Sequence, residues 1–470
     1  MNDISERRLN IAALRQRLRE LEPGPGNAPA RLIPPGPSGR TIATVLPGRE
    51  LHNSAGSCYV AESHYPPDHR HGGVALAELW EPHGPALACL AKDDNLADFD
   101  FRRAVFLDTE TNGLAGGAGT YAFLVGLAYF EGETFCLRQF FLRHPGEEPA
   151  LLAELEPLLA RFDGIVSFNG KCFDLPVLET RFILARRRPP LSNCAHLDLL
   201  HPARRLWKLR LERCALGDLE RHILATERPE SDIPGWLVPR YYNDYLRTGD
   251  ASLLKNIFAH NHHDLLALAA LSVHMAQLCA SGGTDGARAT IYYGSDLFSL
   301  ARLYEETNRP AEAEATYRRA LRMPLAPHLR VETVRRLALL FKRQGRWEPA
   351  TSIWQKLVGR GELFPYEELA KYFEHHARDL VAAERLVLEA LREHQRGRLR
   401  LRHEEVAALR HRLARLRRKM ATVDRPHSPR SSSAAPPRTP CPRPLCPLAG
   451  HVIIRALRIE ALFIARIARP

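Results

Sequence analysis

Three apolar segments in close succession constrain the fold of this chain more than any other feature. Residues 104–107 (AVFL), 121–130 (YAFLVGLAYF) and 134–142 (TFCLRQFFL) are rich in aromatic and branched side chains, which predicts three consecutive strands. The glycine-rich NGLAGGAG lies between the first two as a loop. Then the period changes. Leu151, Leu155, Leu158 and Leu159 recur at helical spacing, 164–168 is a short apolar strand, and 174–185 is helical again. A long helical stretch, 253–278, closes the region. A strand meander that gives way to alternating helices and strands indicates an α/β layer architecture.

The flanks have a different character. Ile11, Leu14, Leu18 and Leu21 predict an N-terminal helix within 1–24, followed over 25–100 by a Pro/Gly-rich linker and short strands of no assigned role. SGGTDGAR (281–288) is a second linker. Beyond it, similar segments carry Ala313, Ala350 and Ala383, which are 37 and 33 residues apart. That period resembles the roughly 34 residues of a tetratricopeptide unit and predicts helical repeats and an Arg-rich helix over 289–420. Residues 425–447 contain eight prolines, so 421–470 reads as a low-complexity, disordered tail. Its last segment mixes Ile and Leu with Arg at helical spacing. It reads equally as a partner-binding helix and as an unselected extension.

With 470 residues, 45% of them hydrophobic and 26% charged, the composition excludes a mainly disordered or collagen-like chain. The net charge of +12 suggests an anionic partner, but its location matters more. Residues 391–470 hold 19 basic and 5 acidic residues, whereas 101–280 hold 20 and 21. The nine cysteines form no CxxC pair, which argues against a zinc ribbon or a disulfide framework. With an N-terminus lacking a signal-peptide core, this predicts a cytoplasmic protein with no membrane span.

The chemistry lies in the acids. Asp108 and Glu110 follow the first strand at i and i+2, so both project from one sheet face. Two carboxylates side by side in a half-buried place repel each other, and a divalent cation between them removes that penalty. Hard oxygen ligands select Mg²⁺ or Mn²⁺. Alone, Asp-x-Glu at a strand end is also ordinary solvated punctuation. Two further places change the weighing. Asn169 and Asp174 follow another strand at a helix start, and His260 and Asp264 share one face of an otherwise apolar helix. Arg204, Arg205, Lys208 and Arg210 form a basic cluster that reads either as a phosphate contact or as a solvated helix face. Asp198 is expected to orient a helix N-terminus, and Trp207 to pack rather than stack on a base. No Ser-His-Asp spacing is present.

In order, Asp108-x-Glu110, Asn169-x4-Asp174 and Asp264 resemble the DEDD 3′–5′ exonuclease superfamily of the RNase H-like fold. The closest resemblance is to the YprB-type RNase H-like domain. FLDTETNGL (106–114), FNGKCFDLPVLETRF (168–182), HLDLLHPARRLWK (196–208), SDIPG (231–235) and HNHHDLLAL (260–268) carry it. The resemblance implies a mixed central sheet flanked by helices over 101–280. It implies two-metal phosphodiester hydrolysis with Asp108, Glu110, Asp174 and Asp264 as ligands of two Mg²⁺ or Mn²⁺ ions. It implies substrate contacts at Asn169 and Thr109. In that superfamily a His five residues, or a Tyr four residues, before the last Asp acts as general base. Here those positions hold Ala259 and His260, so neither subtype is matched, and the role passes to His260.

The expectation is therefore a metal-dependent nuclease, a 3′–5′ exonuclease acting on DNA or RNA, with a possible protein partner at the helical repeats. The rival expectation is a catalytically weak or inactive nucleic-acid-binding scaffold that recruits such a partner. The unusual His260 position and the nearly neutral 101–280 region keep that rival open.

Overall fold

A computed structural model of the protein describes residues 40–113, 119–229, 232–283 and 293–423. The expected N-terminal helix and nearly all of the expected tail lie outside the described residues. The described residues divide into two compact units, those within 1–204 and 211–281, and those within 205–210 and 282–470.

The first unit is built on a seven-stranded mixed sheet, in the order β1-β2-β7-β6-β5-β8-β9. The expected meander is β5 (Ala104–Thr111), β6 (Ala122–Glu131) and β7 (Thr134–Phe141), joined antiparallel. β8 (Gly164–Ser167) adds to β5 in parallel, and β9 (Ala195–Asp198) adds to β8. Val105, Phe106 and Leu107 are fully closed off from solvent, as a strand covered on both faces requires. Residues 49–65, without a role in the sequence, extend the same sheet. β1 (Arg49–Asn53) pairs with β2 (Gly56–Tyr65), and β2 pairs with β7. β3 (Arg70–His71) and β4 (Val74–Ala75) form a separate small hairpin.

Helices flank the sheet, namely α1 (Gly84–Ala91), α2 (Glu148–Leu159), α3 (Asp174–Leu184), α5 (Val238–Thr248) and α6 (Leu254–Ser281), and α4 (Leu200–Trp207) follows β9 in the chain. Among the described residues, α6 alone is long and apolar enough to cross a membrane, yet 72% of its apolar stretch is buried. It packs on β5, β6, β7 and α1 and is the core helix of the unit.

The second unit is helical, with α7 (Gly294–Glu306), α8 (Pro310–Ala320), α9 (Pro327–Arg343), α10 (Trp347–Leu357), α11 (Phe364–His375), α12 (Leu380–Gln395) and α13 (His403–Val423). The Arg-rich stretch is thus two helices, interrupted near Gly397, which has φ 72°. Asn308, Gly345 and Arg378 all have positive φ and precede α8, α10 and α12 by two residues. The left-handed residue turns the chain sharply between paired helices. Ala313, Ala350 and Ala383 are each fully buried, where a small side chain lets the helices approach.

Candidate active site

The site sits where β5 meets α6. Asp108 faces Gly126 on β6, and Gly126 faces Gln139 on β7, so these three form one row across the sheet. Asn261 of α6 lies on that row. Its amide donates to Asp108 Oδ2 at 2.8 Å, and its Oδ1 accepts from Gln139 at 2.8 Å. Gln139 also donates to the Phe258 carbonyl at 2.8 Å. A Cβ at Gly126 would stand 2.2 Å from Asn261 Oδ1, so only glycine admits this bridge. The bridge fixes the rotation of α6 and with it the direction of Asp264.

Asp174 reaches β5 from the first turn of α3. Its Oδ1 accepts from the Thr109 amide at 3.0 Å and the Thr109 hydroxyl at 2.5 Å. Gly170 lets the loop before α3 pass close, since a Cβ there would lie 2.4 Å from Ser167 Oγ. A β-bulge follows Glu110, so the bulge leaves Asp108 and Glu110 on a common face. Among the described residues, the Glu110 carboxyl has no hydrogen-bond or ion-pair partner.

All four carboxyls have raised pKa values. Burial is the leading cause for Asp108, followed by the charges of Asp264, Asp174 and Glu110. Burial also leads for Glu110, followed by Asp264, Asp174 and Asp232. It raises Asp264 as well, against the opposing pull of His260 and Arg228. Asp174 is pushed up to about 6 by burial, and its bonds from Thr109 only partly offset this. The four expected acids are thus gathered, and each feels burial or its neighbours as a penalty.

His260 is held by Asp232, which the sequence offered only as part of SDIPG. His260 Nδ1 lies 2.8 Å from Asp232 Oδ1, and its Nε2 lies 3.7 Å from Asp264 Oδ2. A guanidinium nitrogen of Arg228 also lies 3.2 Å from Nδ1, but it cannot accept a proton. The nearer carboxylate therefore fixes the proton on Nδ1 and leaves Nε2 as the basic nitrogen. Asp232 is kept below the ordinary carboxylate range, because bonds from His260 and Arg228 outweigh the burial that raises it.

Asn169 is exposed, in the left-handed region at φ 68°. Its amide donates to Asp198 Oδ1 at 2.8 Å, and the Lys171 amide donates to Oδ2 at 3.1 Å. Asp198 also accepts from the Leu200 amide at 3.1 Å, at the start of α4. Trp207 is buried, and Arg210 pairs with Asp296 at 2.8 Å. His262 and His263 are engaged elsewhere, with Tyr65 and the Ala259 carbonyl. Ser167 Oγ meets His196 at 2.7 Å, but Ser167 is fully buried, so the pair ties β8 to β9 rather than presenting a nucleophile.

Three residues in or next to the site carried no clear sequence signal. Arg228 pairs with Asp264, Asp232 and Glu220, and Glu220 is also 3.3 Å from His71. Asn261 was overshadowed by the histidines around it. Trp236, 70% exposed, follows Gly235, where a Cβ would lie 3.9 Å from His260 Nε2.

No group of three or more His, Cys, Asp or Glu among the described residues is arranged to hold a metal ion. The donor set nonetheless fits a hard divalent cation by its chemistry. One buried and three half-buried carboxyls converge there, a single guanidinium pairs with one of them, Asp264, and the Glu110 carboxyl is without a partner among the described residues.

A mixed sheet with this strand order, carrying acids on its central strand, defines an RNase H-like domain. Residues 105–276 match the RNase_H_2 family of the RNase_H superfamily. The chain belongs to the same family as the uncharacterized protein YprB of Bacillus subtilis (strain 168). The two are 33% identical over 380 residues, covering 78% of this chain and 87% of that one. A family B DNA polymerase structure from the archaeon Pyrobaculum calidifontis is similar over 43% of this chain and 29% of its own, at 16% identity and a TM-score of 0.31.

Proposed function

We propose that this protein is a metal-dependent nuclease, a 3′–5′ exonuclease that hydrolyses phosphodiester bonds of DNA or RNA with two Mg²⁺ or Mn²⁺ ions. The observation that carries the reading is the convergence of Asp108, Glu110, Asp174 and Asp264 on one site of an RNase H-like sheet, where burial and mutual repulsion raise their pKa values and, among the described residues, Arg228 on Asp264 is the one arginine or lysine that pairs with any of them. Bound divalent ions would supply Lewis acidity and a nucleophilic water there. Asp108, Glu110, Asp174 and Asp264 are the residues that would hold them. Thr109 fixes the Asp174 carboxyl and Asn261 fixes that of Asp108, so one oxygen of each is committed to the protein. His260, oriented by Asp232, takes the proton of the attacking water at Nε2.

Asn169, on its exposed left-handed turn, and Trp236, beside His260, are the proposed substrate contacts; Thr109, buried under Asp174, acts by positioning. The helical unit, with its recurring turn, is proposed to be tetratricopeptide-like and to dock a protein partner. Incubation with end-labelled oligonucleotides and Mn²⁺, beside Asp108→Ala, tests the activity. Loss of labelled product in the variant supports it. Equal cleavage by both proteins, or cleavage independent of metal, overturns it. Nucleic-acid binding without any cleavage favours the scaffold reading instead.

A further inference from the structure

Arg228 is the single lysine or arginine, among the described residues, that pairs with any of Asp108, Glu110, Asp174 and Asp264. Its attachment is asymmetric. Nε and Nη2 both reach Glu220, whose side chain is 1% exposed and backed by His71 at 3.3 Å. Nη1 reaches Asp232 at 3.3 Å. Nη1 also lies 3.2 Å from His260 Nδ1, and a single bond, from Nη2, goes to Asp264 Oδ1. The guanidinium is therefore anchored on two acids outside the cluster and leans on the third from there. Releasing Asp264 would leave Arg228 with charged partners on Glu220 and Asp232, so the release does not strand a buried cation.

We propose that Arg228 is a resident counter-cation that shares Asp264 with a divalent ion and thereby sets the ion concentration at which the site loads. The inference rests on the nuclease reading of the same carboxylates. Two effects act in one direction. The guanidinium occupies an oxygen that the ion would use, and its charge repels the ion at close range. Glu220 acts against both, because it draws the guanidinium away from Asp264. Arg228 and Glu220 are positioning residues on this account. Neither touches substrate.

The test is calorimetric titration of Mn²⁺ into the full-length, metal-free protein, which needs no turnover. The double variant Glu220→Gln/Arg228→Gln removes the anchoring pair together, so neither Glu220 nor Arg228 is left as a charge without the other. It should bind Mn²⁺ about tenfold more tightly, the scale of deleting one adjacent unit charge. Glu220→Gln alone frees the guanidinium to lean harder on Asp264 and should bind more weakly than wild type. Arg228→Lys keeps the charge and should stay near the wild-type affinity. Unchanged or weaker binding by the double variant overturns the proposal while leaving the nuclease reading intact. Absence of Mn²⁺ binding in wild type and all variants overturns both.

Discussion

Glu374 in the helical unit is buried and Asp108 in the α/β unit is half-buried, and their surroundings differ completely. The Glu374 carboxylate is met by Arg412 at 2.9 Å, Arg415 at 2.7 Å and Lys419 at 2.7 Å. Burial pushes its pKa up, but these cations win and bring it down to about 2. Glu305 is treated likewise by Tyr317, Arg336 and Arg343. Asp108 receives one amide, from Asn261, and is otherwise surrounded by acids. A buried acid with its counter-charges supplied is part of the architecture. A group of buried acids without them is costly to folding, and is retained where something else brings the charge.

The largest expected effect is on turnover. Asp108→Asn should lower metal-dependent cleavage at least about a thousandfold, since it removes one of the four carboxylates that would hold the ions. The same change should leave metal-free stability equal or higher, because it relieves repulsion. Equal turnover would place the chemistry elsewhere. Glu374→Ala should do the reverse. It leaves three cations facing one another, two of them exposed to solvent that screens them, and should cost about 1–3 kcal/mol in denaturant unfolding of the helical unit. Mn²⁺ affinity should be untouched. A neutral result would remove the contrast between the two units.

Asp174 sharpens the comparison through pH. Its pKa is about 6 in the folded chain against 3.8 for an ordinary Asp, so the folded state binds the proton more tightly. Its penalty is absent below about pH 4 and grows as pH rises through 6. In metal-free buffer, Asp174→Asn should therefore gain stability relative to wild type across that window, by about 3 kcal/mol at pH 7. Chemical denaturation at pH 4 and pH 7 measures it, and a difference that does not grow with pH refutes the assignment. The smallest effect concerns Trp236. Anisotropy of a labelled single-stranded oligonucleotide, in chelator to prevent cleavage, should show Trp236→Ala losing about 1–2 kcal/mol of binding. Duplex binding should change less. Equal losses on both would argue against stacking.

Much of this was legible in the residues. The five strands from β5 to β9 do not share one reason: β5, β6, β7 and β8 announce themselves as apolar runs, whereas β9 is short and visible mainly beside Asp198. The acids stood out because their spacing puts them on shared faces. What stayed hidden depends on long-range pairing. β2 reads as an unremarkable polar strand because its partner, β7, lies about seventy residues away in sequence. Gly126 and Gln139 matter only because α6 crosses that row of the sheet. Arg228 and Glu220 follow no periodic rule, and no motif distinguishes them from surface charges until burial is known.

The central claim is that the acids at the β5–α6 junction are completed by divalent cations. The most direct measurement is thermal unfolding of metal-free protein at pH 7 with increasing Mn²⁺, for wild type and Asp108→Asn. The account predicts a saturable rise in Tm for wild type that is strongly reduced in the variant. A wild-type Tm indifferent to Mn²⁺, or an equal rise in both proteins, would contradict it.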